Sequence, residues 1–115
     1  MIDTTTIDSL VKIVGTEHVL SNSYDLDRYS GDALTPSRAF GAEQAFERLA
    51  DVVARPGSAQ EVSEIVALAN LNATPLIPYG GGTGVMGSVL PVRGGIILDL
   101  KRLNQIIEVN PQDLT

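Results

Sequence analysis

Pro78-Tyr79-Gly80-Gly81-Gly82-Thr83-Gly84-Val85-Met86-Gly87-Ser88 follows the apolar pair Leu76-Ile77 and opens a glycine-dense passage that closes at Gly94-Gly95. From Gly80 to Gly95, seven of sixteen residues are glycine, more than an ordinary turn needs. Consecutive glycines at the carboxyl end of a strand let the backbone bend sharply. They also bring successive N–H groups to one side and admit an anion without meeting a Cβ atom. Those are the requirements of a phosphate cradle. The chain carries eight Lys and Arg against fourteen Asp and Glu, a net charge of −6. Attraction for a phosphate therefore has to come from oriented amides rather than from cationic side chains. The plainer alternative is a flexible connection between two strands, but long functionless loops are uncommon in compact domains. Pro78 and Pro91 also bracket this one.

Upstream, Asp51-Val52-Val53-Ala54-Arg55 reads as a buried strand and Pro56-Gly57 turns the chain into a helix. Ser58 with Glu61 forms a capping box, and Val62, Ile65, Val66 and Ala69 repeat at helical spacing until Asn70 and Asn72 end it. Thr74 to Tyr79 is an apolar run too short for a helix. The result is a strand, helix, strand unit, which predicts parallel strands joined by a right-handed crossover. Ile96 to Leu100 is a third strand candidate, Lys101 to Asn104 a single helical turn, and Gln105 to Asn110 a fourth strand leading into Pro111.

Toward the amino terminus, Ile7, Leu10, Val11 and Val14 fall at i, i+3, i+4 and i+7, with Thr4 to Thr6 as capping candidates and Gly15 as a stop. From Glu17 to Phe46 turn formers accumulate, which predicts an irregular segment anchored by Tyr24, Tyr29, Phe40 and Phe46. The fold class expected is α/β, a small parallel sheet flanked by helices. Residues 1–50 are expected to form an amino-terminal helix and irregular segment, and residues 51–115 the α/β unit that carries the glycine loop.

The 115 residues suffice for one compact domain and not for an enzyme with separate cofactor and substrate domains. Scattered basic residues in an acidic chain argue against nucleic acid or an anionic membrane as partner. With no cysteine, disulfides, thiolate metal sites and cysteine nucleophiles are excluded, and a cytoplasmic location is the expectation. No leader pattern opens the chain, and no stretch approaches the roughly 18 apolar residues of a membrane span. No metal site is expected: Asp25, Asp27 and Asp32 lack the spacing of a calcium loop and read as solvated turn residues. His18, the only histidine, has no ligand or nucleophile set beside it in sequence. Arg28, Arg38 and Arg55 read as surface or supporting cations.

Known glycine patterns discriminate further. In a P-loop the spacing of Gly82 and Gly87 would place lysine where Ser88 stands, which excludes an NTPase of that type. Gly82-x-Gly84-x-x-Gly87 matches the dinucleotide fingerprint after a strand. However, Pro91, Gly94 and Gly95 interrupt the helix that must follow, and no strand ending in an acidic residue lies at the required distance.

A third pattern accommodates the whole order of elements: Arg55-Pro56-Gly57-Ser58 and its helix, Pro78 to Gly84, Gly87-Ser88, Gly95 to Leu100, and Leu103-Asn104. Together these resemble the FAD-linked oxidases of the vanillyl-alcohol oxidase type, with a PCMH-type FAD-binding domain. The likeness is greatest to the glycolate oxidase and D-lactate dehydrogenase branch. It covers about residues 24 to 115 and includes Tyr29-Ser30-Gly31-Asp32, similar to a short motif that such proteins carry ahead of their flavin domain.

The resemblance implies the first subdomain of such a domain, incomplete here. In it Pro78, Tyr79, Gly80, Gly81, Gly82, Thr83 and Gly84 wrap the FAD pyrophosphate, Thr83 adds a hydroxyl donor, and Met86, Gly87 and Ser88 line the path to the isoalloxazine ring. Thr83 stands where some relatives attach flavin through histidine, which implies non-covalent FAD. The implied activity is oxidation of a small D-2-hydroxy acid to the 2-oxo acid, with no catalytic residue in this stretch. Taken alone, the chain is expected to bind FAD weakly or not at all, to lack turnover, and to self-associate. A non-enzymatic anion-binding module and a flavin-free structural protein remain the alternatives.

Overall fold

A computed structural model of the chain describes residues 2–33 and 49–115; Phe40, Phe46 and Arg38 lie outside the described residues. Helix α1 spans Thr4–Val14, strand β1 Val19–Leu20, helix α2 Ser23–Tyr29, strand β2 Val52–Ala54, helix α3 Ala59–Leu71, strand β3 Leu76–Tyr79 and strand β4 Ile96–Asp99. The sheet order is β1-β2-β4-β3. β2 and β3 both run parallel to β4, while β1 adds an antiparallel edge through Val19↔Ala54 and Leu20↔Val53. The expected parallel sheet is thus three of the four strands of a mixed one.

The strand residues alternate between two cores, as the two-residue period of a strand requires. Val52, Ala54, Ile96 and Leu98 face α1 and α3, where they meet Leu10, Val14, Ile65 and Ala69. Val53, Ile97 and Tyr79 point to the other face, against Leu20, Leu26 and Tyr29. Because both faces are covered, β2 and the Ile96-Ile97-Leu98 run of β4 are apolar without interruption. Pro78 is accommodated because β3 is an edge strand: Pro75 and Tyr79 offer their carbonyls to Ile96 and Leu100 of the β4 side, so the N–H that proline lacks faces away from β4.

Helix ends follow local chemistry. Ser58 caps α3 by accepting from Glu61 N–H at 3.2 Å, and Glu61 reaches back to Gly57 N–H at 2.6 Å. The reciprocal bond of the capping box is thereby shifted by one residue. For α1 the cap is Asp3, accepting from Thr6 N–H at 2.8 Å. Thr4 to Thr6 are helical rather than caps, since Asp3 holds the position three residues before a free amide. Gly15 stops α1 as expected, and Asn72 donates to the Thr6 hydroxyl, tying α3 to α1.

The segment expected to be irregular holds β1 and α2 in its described part. Asn22 caps α2 by accepting from Asp25 N–H at 3.0 Å. β1 is held by Arg55, whose N–H donates to the His18 carbonyl and whose guanidinium donates to the Glu17 carbonyl. The strand expected over 105–110 is not formed. Ile106 and Ile107 are 84% and 99% exposed, so their β-propensity finds no neighbouring strand. Lys101 to Asn104 make a turn closed by Leu103 N–H on the Leu100 carbonyl. Among the described residues no helix is long and apolar enough to cross a membrane.

Candidate cofactor-binding site

Because β2, β4 and β3 are parallel, their carboxyl ends share one edge of the sheet, the edge where open α/β sheets bind ligands. Three features leave it: the α3 amino terminus after β2, the glycine loop after β3, and Asp99 to Lys101 at the end of β4. The α3 terminus is already occupied by Ser58 and Glu61, with Arg102 3.9 Å from the Glu61 carboxylate.

The loop is different. Among the described residues, the N–H groups of Gly80, Gly81, Gly82, Thr83, Gly84, Val85 and Met86 donate to no protein acceptor. Gly80, Gly81, Thr83, Gly84, Met86 and Ser88 are exposed, as is Pro78, and Met86 reaches 86%. A Cβ on Gly80 would have nothing within 4 Å, and one on Gly81 would meet only Thr83, with Cγ2 at 3.5 Å. Neither has a positive φ. Internal packing therefore does not explain why these two positions lack side chains, and the bare backbone leaves room for close approach from solvent. Gly82 is the converse: its φ is 68°, and a Cβ there would collide with the Tyr79 hydroxyl. Of the residues expected to contact the cofactor, Tyr79 alone has a buried side chain, which serves to anchor the loop at its root.

That anchor is a polar cluster beneath the loop. Tyr79 stacks edge-on against Tyr29, ring centres 5.0 Å apart, and donates to the Gly31 carbonyl at 3.4 Å. Tyr29 donates to Asp99 Oδ2 at 2.6 Å. The Lys101 ammonium lies 3.5 Å from the same carboxylate oxygen, 3.3 Å from the Tyr29 hydroxyl and over both rings. Asp99 is 2% exposed, and such a buried carboxylate requires these partners.

Burial, and then the bond to Asp99, pushes the Tyr29 phenol above its ordinary range. Burial of the Lys101 ammonium acts downward, but the Tyr29 hydrogen bond and the Asp99 charge outweigh it and the net shift is upward. Groups whose folded pKa is raised contribute stability that is full below the unfolded value and lost as pH rises through the folded one. Thermal stability is therefore expected to hold to about pH 10 and fall above it. Tyr29→Phe should remove part of that fall, as followed by melting at stepped pH; identical alkaline profiles for the two proteins would contradict the cluster's role.

Sequence reasoning singled out the loop but missed what supports it. Asp32, expected to be a solvated turn residue, accepts from Gly87 N–H at 3.1 Å, and Ala33 N–H donates to the Gly84 carbonyl at 2.9 Å. Asp99 was legible only as a strand residue; the acid that closes Ile96-Ile97-Leu98 was its one signal. His18 sits beside Arg55, ring Nδ1 3.3 Å from the guanidinium, and Arg28 lies over the Tyr24 ring. No group of three or more His, Asp or Glu suited to a metal ion occurs among the described residues.

Comparison with known proteins agrees with this fold. The family described as "FAD binding domain" matches residues 50–115. Glycolate oxidase subunit GlcD of Bacillus subtilis is 30% identical over 108 residues, covering 94% of this chain and 21% of that protein. D-lactate dehydrogenase of Archaeoglobus fulgidus is 35% identical over 100 residues, 87% of this chain and 20% of that protein. The solved structure of alkyldihydroxyacetonephosphate synthase superposes with a TM-score of 0.80 at 20% identity, covering 97% of this chain and 23% of that one, a likeness of fold. The chain thus spans about a fifth of the length of the relatives it matches. An α/β unit whose amide-lined glycine loop stands at the carboxyl edge of its parallel strands, and whose residues 50–115 match that family, belongs to the FAD-binding domains of the flavin-dependent oxidoreductases related to glycolate oxidase and D-lactate dehydrogenase.

Proposed function

We propose that residues 78–88 hold the pyrophosphate of a non-covalently bound FAD in an oxidoreductase that converts a small D-2-hydroxy acid to the 2-oxo acid. The observation that carries this reading is the run of N–H groups from Gly80 to Met86 without protein acceptors among the described residues, in a stretch that holds two glycines whose Cβ positions stand open or nearly so. In this reading those amides take the phosphate oxygens, the exposed Thr83 adds a hydroxyl donor, and Met86, Gly87 and Ser88 line the way to the isoalloxazine ring. FAD, when bound, supplies the hydride acceptor. The chain's single histidine, His18, lies beside Arg55 at the β1 edge and is not in the loop, which supports a non-covalent flavin.

Residues 51–115 carry the cofactor grip and residues 1–50 support it. The exposed Ile106, Ile107 and Val109 favour a longer protein that covers this edge, and self-association of the chain when alone. The lack of cysteine fits a cytoplasmic setting.

Two experiments test the reading. The 115 residues alone are expected to bind FAD weakly, in preference to ADP and to inorganic phosphate, and to show no turnover; an equal response to every anion favours a simple anion-binding module instead. In the polypeptide that joins this chain to a substrate-binding part, anaerobic D-lactate, D-2-hydroxyglutarate or glycolate is expected to bleach the visible flavin band. A bound flavin that none of these acids reduces contradicts the substrate class.

A further inference from the structure

We propose that residues 29–33 are a clasp that fixes the glycine loop in its cofactor-receiving shape, with Asp32 as the positioning residue. The proposal rests on the flavin reading above and concerns a segment that lies ahead of the matched residues 50–115. Four polar contacts and one ring contact join the two pieces of chain. The Tyr29 hydroxyl reaches Asp99 at the end of β4, and its ring packs on Tyr79 at the end of β3. The Gly31 carbonyl accepts from the Tyr79 hydroxyl, which fixes the root of the loop. Ala33 N–H then holds the Gly84 carbonyl at 2.9 Å, and the Asp32 carboxylate holds Gly87 N–H at 3.1 Å. A Cβ on Gly84 would come within 3.3 Å of Asp32 Oδ2, so the carboxylate is seated against the loop backbone between the two pinned positions.

The clasp is itself braced. Ser30 Oγ donates to the Leu26 carbonyl in the last turn of α2 and accepts from Ala50 N–H, two residues before β2. The loop shape is therefore set by the packed α2 and by the start of β2, and not by the glycines alone, whose backbone entropy would otherwise have to be lost on binding.

The clasp also makes a division of labour along the loop. Gly87 N–H is taken by Asp32, while the amides of residues 80–86 have no protein acceptor among the described residues. The diphosphate is thus registered on the amides of residues 80–86, and Gly87, held by Asp32, fixes the far end of that run. Asp32 acts through Gly87 and does not touch the cofactor's phosphates.

The test uses the isotopically labelled chain, with amide spectra recorded during titration with inorganic pyrophosphate and with FAD. In the native protein, pyrophosphate is expected to move the amides of residues 80–84 while Gly87 stays nearly still. Asp32→Ala is expected to speed Gly87 amide exchange and weaken FAD binding, each by about tenfold, the effect of losing one charge-assisted hydrogen bond. Asp32→Asn, which keeps an acceptor for Gly87 N–H, is expected to restore most of both. Native-like FAD affinity in Asp32→Ala, or a Gly87 shift as large as that of Gly81 in the native protein, overturns the clasp; the second measurement needs no variant and stands if Asp32→Ala fails to fold. Silence of residues 80–88 toward both ligands sinks the flavin reading instead, while the difference in Gly87 exchange between native protein and variants still decides whether the clasp exists.

Discussion

Gly80→Val is expected to leave the fold standing and to remove measurable FAD binding. The residue is exposed, has no positive φ and has nothing within 4 Å of the Cβ position, so the substitution falls among surface changes that move stability by no more than about 0.5 kcal/mol. An isopropyl group in that open space would crowd any ligand that rests on the Gly80 backbone. A diphosphate lying there must then give up its closest approach to several donors, and a loss of about 100-fold corresponds to roughly 2.7 kcal/mol, within reach of two such bonds. The combination is what makes the result informative: thermal melting reports the intact fold and flavin titration reports the loss. An unchanged FAD affinity in Gly80→Val would mean that the cofactor does not rest on this part of the loop.

Gly95→Ala is expected to do the opposite and damage the fold itself. Gly95 has a φ of 97°, and a Cβ there would collide with the Pro75 backbone carbonyl, an atom that cannot swing away as a side chain would. That same carbonyl accepts from Ile96 N–H at 2.8 Å to start the β3–β4 ladder. Gly95 also donates to Asp51 Oδ2 at 2.7 Å, and its own carbonyl accepts from Asp51 N–H, joining the approach to β2 to the start of β4. Strain of about 1–3 kcal/mol from the backbone conformation adds to the displacement of the ladder. A total of about 3 kcal/mol is a large fraction of the roughly 5–15 kcal/mol that holds an average domain together. The denaturant midpoint should drop accordingly; a midpoint unchanged from native would show that the β3–β4 junction tolerates a side chain.

These two glycines explain why the loop was readable while its support was not. Glycine density after Leu76-Ile77 reported a local backbone requirement, and local requirements are visible in sequence. The β2, α3, β3 unit was equally legible, because Val52-Val53-Ala54 is apolar on both faces and Ser58 with Glu61 marks a helix start. The contacts of Tyr29 with Asp99 and of Asp32 with Gly87 span 70 and 55 residues, and no spacing rule reaches that far.

α2 escaped notice because its seven residues carry only Leu26 and Tyr29 toward the core, and Asn22 before them reads as readily as a turn former. β1 has two residues, too few for any alternation to register. Residues 105–110 failed in the other direction: Ile106, Ile107 and Val109 have the composition of a strand, but a strand exists only where another offers its edge.

Amide chemical shifts recorded while this chain is titrated with FAD decide whether residues 80–86 receive the dinucleotide's phosphates. Gly80, Gly81, Gly82, Thr83 and Gly84 are expected to shift together and saturably, while the amides of β2 and β4 remain where they were. Shifts absent from the loop, or spread without preference over the surface, would contradict that placement of the cofactor.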